Sequence, residues 1–189
     1  YGLDTEVAWN KGISVDQKFK IFSRNANIAF DFFRNDFQQQ VIVDLEDARQ
    51  VKFYNLEGKS YSNSFQAEMN FEPVNKLEVR LAYRFFDVKM TYGNQLLQKP
   101  FTSKHRAFSN IAYEIKGWKL DYTFNYNGAK RITSTAVNPV VHQRPAKSPS
   151  YVLMNAQLSK TVGKKRPVDF YVGGENLTNF LQGDIIVIA

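Results

Sequence analysis

The only imidazoles in this 189-residue chain are His105 and His142, 37 positions apart and without an acidic cluster beside either. A zinc site or a hydrolytic triad needs three or four suitable groups brought together, and this spacing offers no such set. Cysteine is absent, which removes thiolate metal sites and a disulfide framework at once. The chain has no P-loop, no GxSxG elbow and no GxGxxG fingerprint. In VGGE at 172–175 the paired glycines have another spacing and sit in a strand, where they mark a bulge or a close packing contact. The carboxylates Asp16, Glu68, Glu78, Glu114 and Asp121 could in principle work in pairs as acid and base. They come from separate alternating segments, however, and such a row serves first to hydrate a polar surface. No covalent catalysis, no cofactor and no metal site is therefore expected.

The elements that position these residues are strands. In SYSNSFQAEMNFE, residues 60–72, Tyr61, Phe65, Ala67, Met69 and Phe71 take odd positions, while Ser60, Ser62, Ser64, Gln66, Glu68, Asn70 and Glu72 take even ones. A helix would scatter 65, 67, 69 and 71 around its circumference; a strand puts them on one face. KLEVRLAYRF, residues 76–85, repeats the pattern with Leu77, Val79, Leu81, Tyr83 and Phe85 against Lys76, Glu78, Arg80 and Arg84. After Phe85 the apolar set moves to Phe86, Val88 and Met90, which reads as a bulge or as exit from an apolar layer. WKLDYTFNYN, residues 118–127, alternates without interruption. Similar patterns over 13–22, 26–45, 104–116, 151–162 and 167–175 bring the expectation to eight strands and no helix. Connections alternate as well: short at SRN, PVN, KG and GKKR, long at 46–59, 91–103 and 129–149.

Strands of ten residues or more, one uniformly apolar face and loops long on one side only must be explained together. A soluble sandwich has short strands and no reason to sort its loops by side. A transmembrane barrel requires all three, because backbone groups in lipid must be paired and about 9–11 tilted residues cross the apolar layer. Aromatic residues, 15% of the chain with 16 Phe and 10 Tyr, would then face lipid, and Trp118, Tyr83 and Tyr126 would stand in interfacial girdles. A sandwich core is the alternative destination for the same side chains.

The formal charge of +7 is uneven: up to Gln98 there are 12 Lys or Arg against 13 Asp or Glu, and from Lys99 onward 13 against 5. A basic half suits nucleic acid, a membrane surface or an anionic ligand. Nucleic acid is not expected, because a stacking platform needs aromatics and cations on one face and here they lie on opposite faces. NLT at 176–178 matches a glycosylation sequon only formally. No run approaches 18 apolar residues, which speaks against a membrane-spanning helix and nothing more. The start at Tyr1, without initiator Met or leader, suggests a removed signal or an internal piece.

AFDFFRNDFQQQVIVDLE, NLEGKSYSNSFQAEMNFEP, LEVRLAYRFFDVK, KHRAFSNIAYE and FYVGGENLTNF, taken in order, closely resemble the C-terminal barrel segment of TonB-dependent outer-membrane receptors, particularly the Bacteroidetes type. In that family a 22-stranded barrel encloses an N-terminal plug. TonB, acting with ExbB and ExbD in the inner membrane, pulls on the plug to admit a solute bound outside. The resemblance implies that residues 1–189 are the C-terminal part of the barrel domain: about eight strands of a larger antiparallel transmembrane β-barrel, all-β throughout. The plug, the earlier strands and the final strand would be absent, and QGDIIVIA would end inside the last long loop. A genuine eight-stranded barrel is geometrically allowed and ranks second.

The function so implied is recognition of a scarce solute (siderophore, glycan, cobalamin-like or similar) at the cell surface, with this chain as part of the wall for energised import across a bacterial outer membrane. Partners would be the TonB–ExbB–ExbD complex through the absent plug, outer-membrane lipid and lipopolysaccharide, a small-molecule or glycan substrate, and a surface lipoprotein such as caps related glycan importers. Substrate contacts in the family come largely from long outer loops, which points to Tyr54, Tyr92, Gln98, Lys130, Arg131, His142 and Arg144, since aromatics and cations suit sugars, ferric chelates and other anions. A passive porin-like barrel would share the alternation, and a soluble carbohydrate-binding sandwich would put the same faces into a core.

Overall fold

The computed structural model describes residues 2–181; the segment 182–189, read above as part of a last loop, lies outside the described residues. Eleven strands follow along the chain: β1 (Val7–Ile21), β2 (Arg24–Gln39), β3 (Val41–Asp44), β4 (Lys52–Asn55), β5 (Ser60–Val74), β6 (Leu77–Tyr92), β7 (Gln95–Gln98), β8 (His105–Ile115), β9 (Trp118–Asn127), β10 (Tyr151–Val162) and β11 (Val168–Gly174). Among the described residues the one helical element is a 3₁₀ turn at Val140–His142. The eight long strands form a single sheet in the order β1-β2-β5-β6-β8-β9-β10-β11, every pair antiparallel. β7 folds back on the end of β6, and β3 and β4 form a separate hairpin. β1 and β11 are the two edges.

Register carries the alternation across the sheet, because residues directly opposite each other share a face. On one face the rows run Val15, Phe30, Ala67, Tyr83, Ala107, Tyr126, Val152 and Phe19, Ala26, Phe71, Val79, Ile111, Tyr122, Ala156. On the other the corresponding row is Lys18, Asn27, Asn70, Arg80, Asn110, Thr123, Asn155. The polar face is cross-linked by its own side chains. Arg80 pairs with Glu68 at 3.1 Å, Glu68 accepts from Asn70 at 3.0 Å, and the Asn110 amide donates to Asp121 at 2.8 Å and to Thr123 at 3.1 Å. The apolar face has no such cover: Ile13, Leu81, Leu120, Phe170 and Val172 are all exposed.

Several expectations need correction. The stretch 26–45 is not one strand, since β2 ends at Gln39 and the chain turns into β3. The last pair between β2 and β5 is Phe37 with Ser60, so beyond it β2 has lost its neighbour, and Val41–Asp44 pairs with β4 instead. The connections 46–59 and 91–103 thus contain β4 and β7. There is no bulge after Phe85: β5 and β6 stay in step from Phe71 opposite Val79 to Ser60 opposite Met90, and the one irregularity, between Phe71 and Val74, falls at Pro73, which has no N–H to donate. β1 starts at Val7 rather than at 13. The first tight turn is Phe22–Ser23, at φ 50° and 64°, a pair of left-handed residues that gives a hairpin the right twist but is usually supplied by Asn and Gly.

ENLTNF acts as a clasp. Asn176, at φ 51°, accepts the Phe180 N–H at 3.0 Å and donates to the Phe180 carbonyl at 3.0 Å. Its own N–H donates to Asn155 Oδ1 at 2.8 Å. Leu177 N–H and Thr178 Oγ1 then donate to the Met154 and Val152 carbonyls, both at 2.8 Å. The motif therefore continues along β10 after β11 has left it, and Phe180 stacks on Tyr151 at 4.3 Å.

Candidate functional site

The three long connections meet at the end of β6. Beyond Phe85 the even positions of β6 remain on the polar face, but there Val88, Met90 and Tyr92 are buried. The cover over Met90 and Tyr92 is the β3–β4 hairpin: Ile42, fully buried, packs with them, and Tyr54, Leu56 and Leu97 close the cluster. This explains the switch of apolar phase. The strand has left the apolar band on one side, where Asp87 and Lys89 replace it, and has acquired a small core on the other.

Arg131 ties this core to the third connection. Its guanidinium grips the Glu46 carboxylate with two donors, Nη1 to Oε2 at 2.9 Å and Nη2 to Oε1. Its Nε donates to the Gln98 carbonyl at 2.6 Å, and its Cζ lies 5.9 Å from the Tyr92 ring. Tyr54 donates its hydroxyl to Asp44 at 2.8 Å and accepts the Gly93 N–H at 3.3 Å. Burial, then the hydrogen bond to Asp44, pushes the Tyr54 hydroxyl above the usual phenol range. Burial, reinforced by the Glu46 charge and opposed by Arg131, pushes Tyr92 up to about 12. Both phenols are neutral donors at any physiological pH.

Of the seven loop residues expected to contact a solute, Tyr54, Tyr92, Gln98 and Arg131 come together here. Lys130 stands next to them, its backbone N–H on Ser148 Oγ at 3.0 Å and its ammonium 5.8 Å from the Tyr151 ring. His142 is apart, exposed on the 3₁₀ turn beside exposed Val140 and Val141. Arg144 lies in the same outer segment, its backbone N–H donating to Thr135 Oγ1 at 2.7 Å. The cluster is built as a clamp: Arg131 spends its fork on Glu46, and the aromatic rings pack inward. Glu46, Asp44 and Ile42 were not singled out from sequence, although VIVD followed by KFYN across a turn-rich LEDARQV carries the alternation of a small hairpin.

The cations of the second half divide between the two ends of the sheet: Lys99, Lys104, Arg106, Lys130, Arg131, Arg144 and Lys147 at the long connections, and Lys116, Lys119, Lys160, Lys164, Lys165 and Arg166 at the short turns. Lys160 donates to the Lys116 carbonyl at 2.8 Å and sits 4.8 Å from the Trp118 ring, with Lys164, Lys165 and Arg166 in the neighbouring turn. At the loop side of the apolar face, Tyr83 bonds His105 Nδ1 at 2.8 Å. Tyr126 lies one residue from the end of β9. Of the three aromatics expected in girdles, Tyr83 and Trp118 thus have a polar or cationic neighbour, and Tyr126 stands near a strand end. Among the described residues no three His, Asp or Glu side chains converge on a metal-sized site.

Residues 1–177 match a family described as TonB dependent receptor-like, beta-barrel. Among solved structures the chain is similar to the ferric-catecholate import receptor Fiu from E. coli K12 in a closed form, at 18% identity and a TM-score of 0.67. The match covers 94% of this chain and 24% of that one, so the chain spans about a quarter of that receptor's length. At this identity the likeness is one of fold. No curated protein matches.

Proposed function

The chain belongs to the TonB-dependent receptor-like β-barrel family, and we propose from that premise that it is a stretch of barrel wall in an energised importer of the bacterial outer membrane. The observation that carries this reading is the uncovered apolar face. It extends over eight strands, with Gln17 and Ser109 among its apolar side chains, whereas a soluble monomer rarely exposes an apolar patch beyond about 300–600 Å². The row Leu77 to Phe85 covers about 27 Å of strand at about 3.4 Å per residue, or about 20 Å of membrane depth at a tilt of about 40°, close to the apolar band of outer-membrane barrels. The two open edges, β1 and β11, support placement in a barrel larger than eight strands. The order of motifs that ends in GGENLTNF supports the C-terminal part of a Bacteroidetes-type barrel domain, residues 1–189, with the plug elsewhere in the polypeptide.

On this reading the long connections face the cell exterior and the short turns face the periplasm, as in outer-membrane barrels generally. TonB, ExbB and ExbD act through the plug, and a surface lipoprotein is a further partner class. The solute is a scarce nutrient such as a ferric chelate, a glycan or a cobalamin-like molecule. Tyr54, Tyr92, Gln98, Lys130, Arg131, His142 and Arg144 shape its outer vestibule, with Arg131 acting through the loops it clamps. Deleting the gene in its native host and following uptake of these three solute classes tests the proposal. Uptake of one class should fall, and should fall equally when TonB is removed. Uptake that is lost with the gene but indifferent to TonB would instead mark a passive channel.

A further inference from the structure

We propose that Arg84 and Arg106 form an oxyanion-binding site on the polar face of the sheet, at a level distinct from the loop cluster. The two stand directly opposite each other on β6 and β8. Like charges in that position repel, so the pair is a liability unless something negative lies between them. The same row continues with Gln66 opposite Arg84 and Asn127 opposite Arg106, so two guanidinium groups are flanked by two carboxamides, all four able to donate. No carboxylate among the described residues answers them. Glu68, on the same face, is held by Arg80 at 3.1 Å and by Asn70 at 3.0 Å, and Asp87, on the opposite face, is held by Lys104 at 2.7 Å.

Geometry prepares the site further. The Arg84 guanidinium carbon lies over the Phe86 ring, 4.4 Å from its centre, a cation–π contact that restrains the side chain. Its Nε is shut off from solvent and has no hydrogen-bond partner among the described residues, a state a folded protein rarely leaves uncompensated. Arg106 has neither hydrogen bond nor ion pair there, and both border a depression of about 450 Å³ together with Gln66, Asn125, Asn127 and the Arg80–Glu68 ion pair, whose charges offset each other. Opposed side chains start from Cβ atoms about 5 Å apart, within reach of one carboxylate or phosphate taken by both forks. The ligand class is therefore an oxyanion. Its source is either a diffusible solute passing along the wall or an acidic side chain of polypeptide that fills the barrel. The inference rests on the reading that the polar face borders a water-filled lumen.

The test uses the full-length receptor in detergent at low salt, with pyrophosphate as the probe. Calorimetric titration and thermal melts are run on the parent protein, on R106Q and on R84Q, the second variant guarding against a folding failure of the first. Pyrophosphate binding that weakens at least tenfold in either variant supports the site and a diffusible ligand. No binding to the parent, but a melting temperature lowered by several degrees in either variant, supports the site and an internal carboxylate. Binding unchanged by both substitutions overturns the proposal, and so does an absence of binding with melting temperatures unchanged or raised, since relief of repulsion alone would then govern. In a cysteine-free background, Asn125→Cys should react with a membrane-impermeant maleimide. Failure to react overturns the lumenal placement itself, whatever the anion does.

Discussion

Replacing Leu81 by arginine probes the apolar face where it is deepest. Leu81 is the middle member of the row Leu77, Val79, Leu81, Tyr83, Phe85, opposite Met69 on β5 and Ser109 on β8, and it is 41% exposed. If that exposure is to lipid, L81R places a guanidinium near the bilayer midplane at a cost of about 2–4 kcal/mol. Taking about 3 kcal/mol, the folding constant drops by about two orders of magnitude. The same change at Val162, the last residue of β10 beside a short turn, falls near the interface and should cost about 0–1 kcal/mol. Gln157→Arg, on the polar face of β10, should stay within about 0.5 kcal/mol, as surface changes do. Reversible urea unfolding of the full-length receptor from lipid vesicles gives all three values. The expected order is L81R far above V162R and Q157R. If the face met water, L81R would be as mild as Q157R, and if it were a sandwich core, no fall-off toward the strand end would follow bilayer depth; either result refutes the reasoning.

Three further outcomes follow from the loops and the clasp. Glu46→Gln leaves the half-buried Arg131 with a neutral partner and should destabilise the β3–β4 hairpin by about 1–2 kcal/mol, between the exposed and buried limits for ion pairs; amide exchange over residues 41–55 should rise, and unchanged exchange would count against the clamp. Burial raises the Tyr92 phenol from its ordinary value of 10.0 to about 12, so its contribution to stability is complete below pH about 10 and is lost as pH climbs toward about 12. The tyrosinate absorbance removed by Tyr92→Phe should therefore belong to the latest-titrating phenol, and an ordinary midpoint near 10 would contradict its burial. Asn176→Ala removes both bonds to Phe180 and puts alanine at positive φ, which should cost about 1–3 kcal/mol and admit protease cleavage near residues 175–181; a resistant variant would show that the clasp does not depend on Asn176.

What the sequence made legible was whatever repeats with period two. β5, β9 and β10 fall within two residues of the expected bounds, because each alternates across the apolar band from end to end. Legibility stops where the band stops. Val7–Gly12 lies beyond it, so its residues obey no apolar period, and β1 was read as six residues too short. The break at Gln40 was hidden because β2 and β3 are both rich in apolar residues, and only the loss of the β5 neighbour beyond Phe37 separates them. The site residues divide by the same logic. Aromatic and cationic loop residues can be named from composition, but that Arg131 would meet Glu46, 85 positions away, depends on three connections folding over one strand end. No local pattern records that meeting. Arg84 and Arg106 were visible only as polar members of alternating strands; their opposition is a matter of register, which no single strand specifies.

The most direct test is a cysteine scan of positions 79–86 in the full-length receptor, in a cysteine-free background and in native outer membranes. Each variant is treated with a membrane-impermeant maleimide and, separately, with a lipid-dissolved one. The expected result is strict alternation: Arg80, Ala82, Arg84 and Phe86 positions modified from water, Val79, Leu81, Tyr83 and Phe85 positions modified only from lipid. Uniform modification from water, or odd positions shielded from both reagents, would contradict a wall that divides lipid from a lumen.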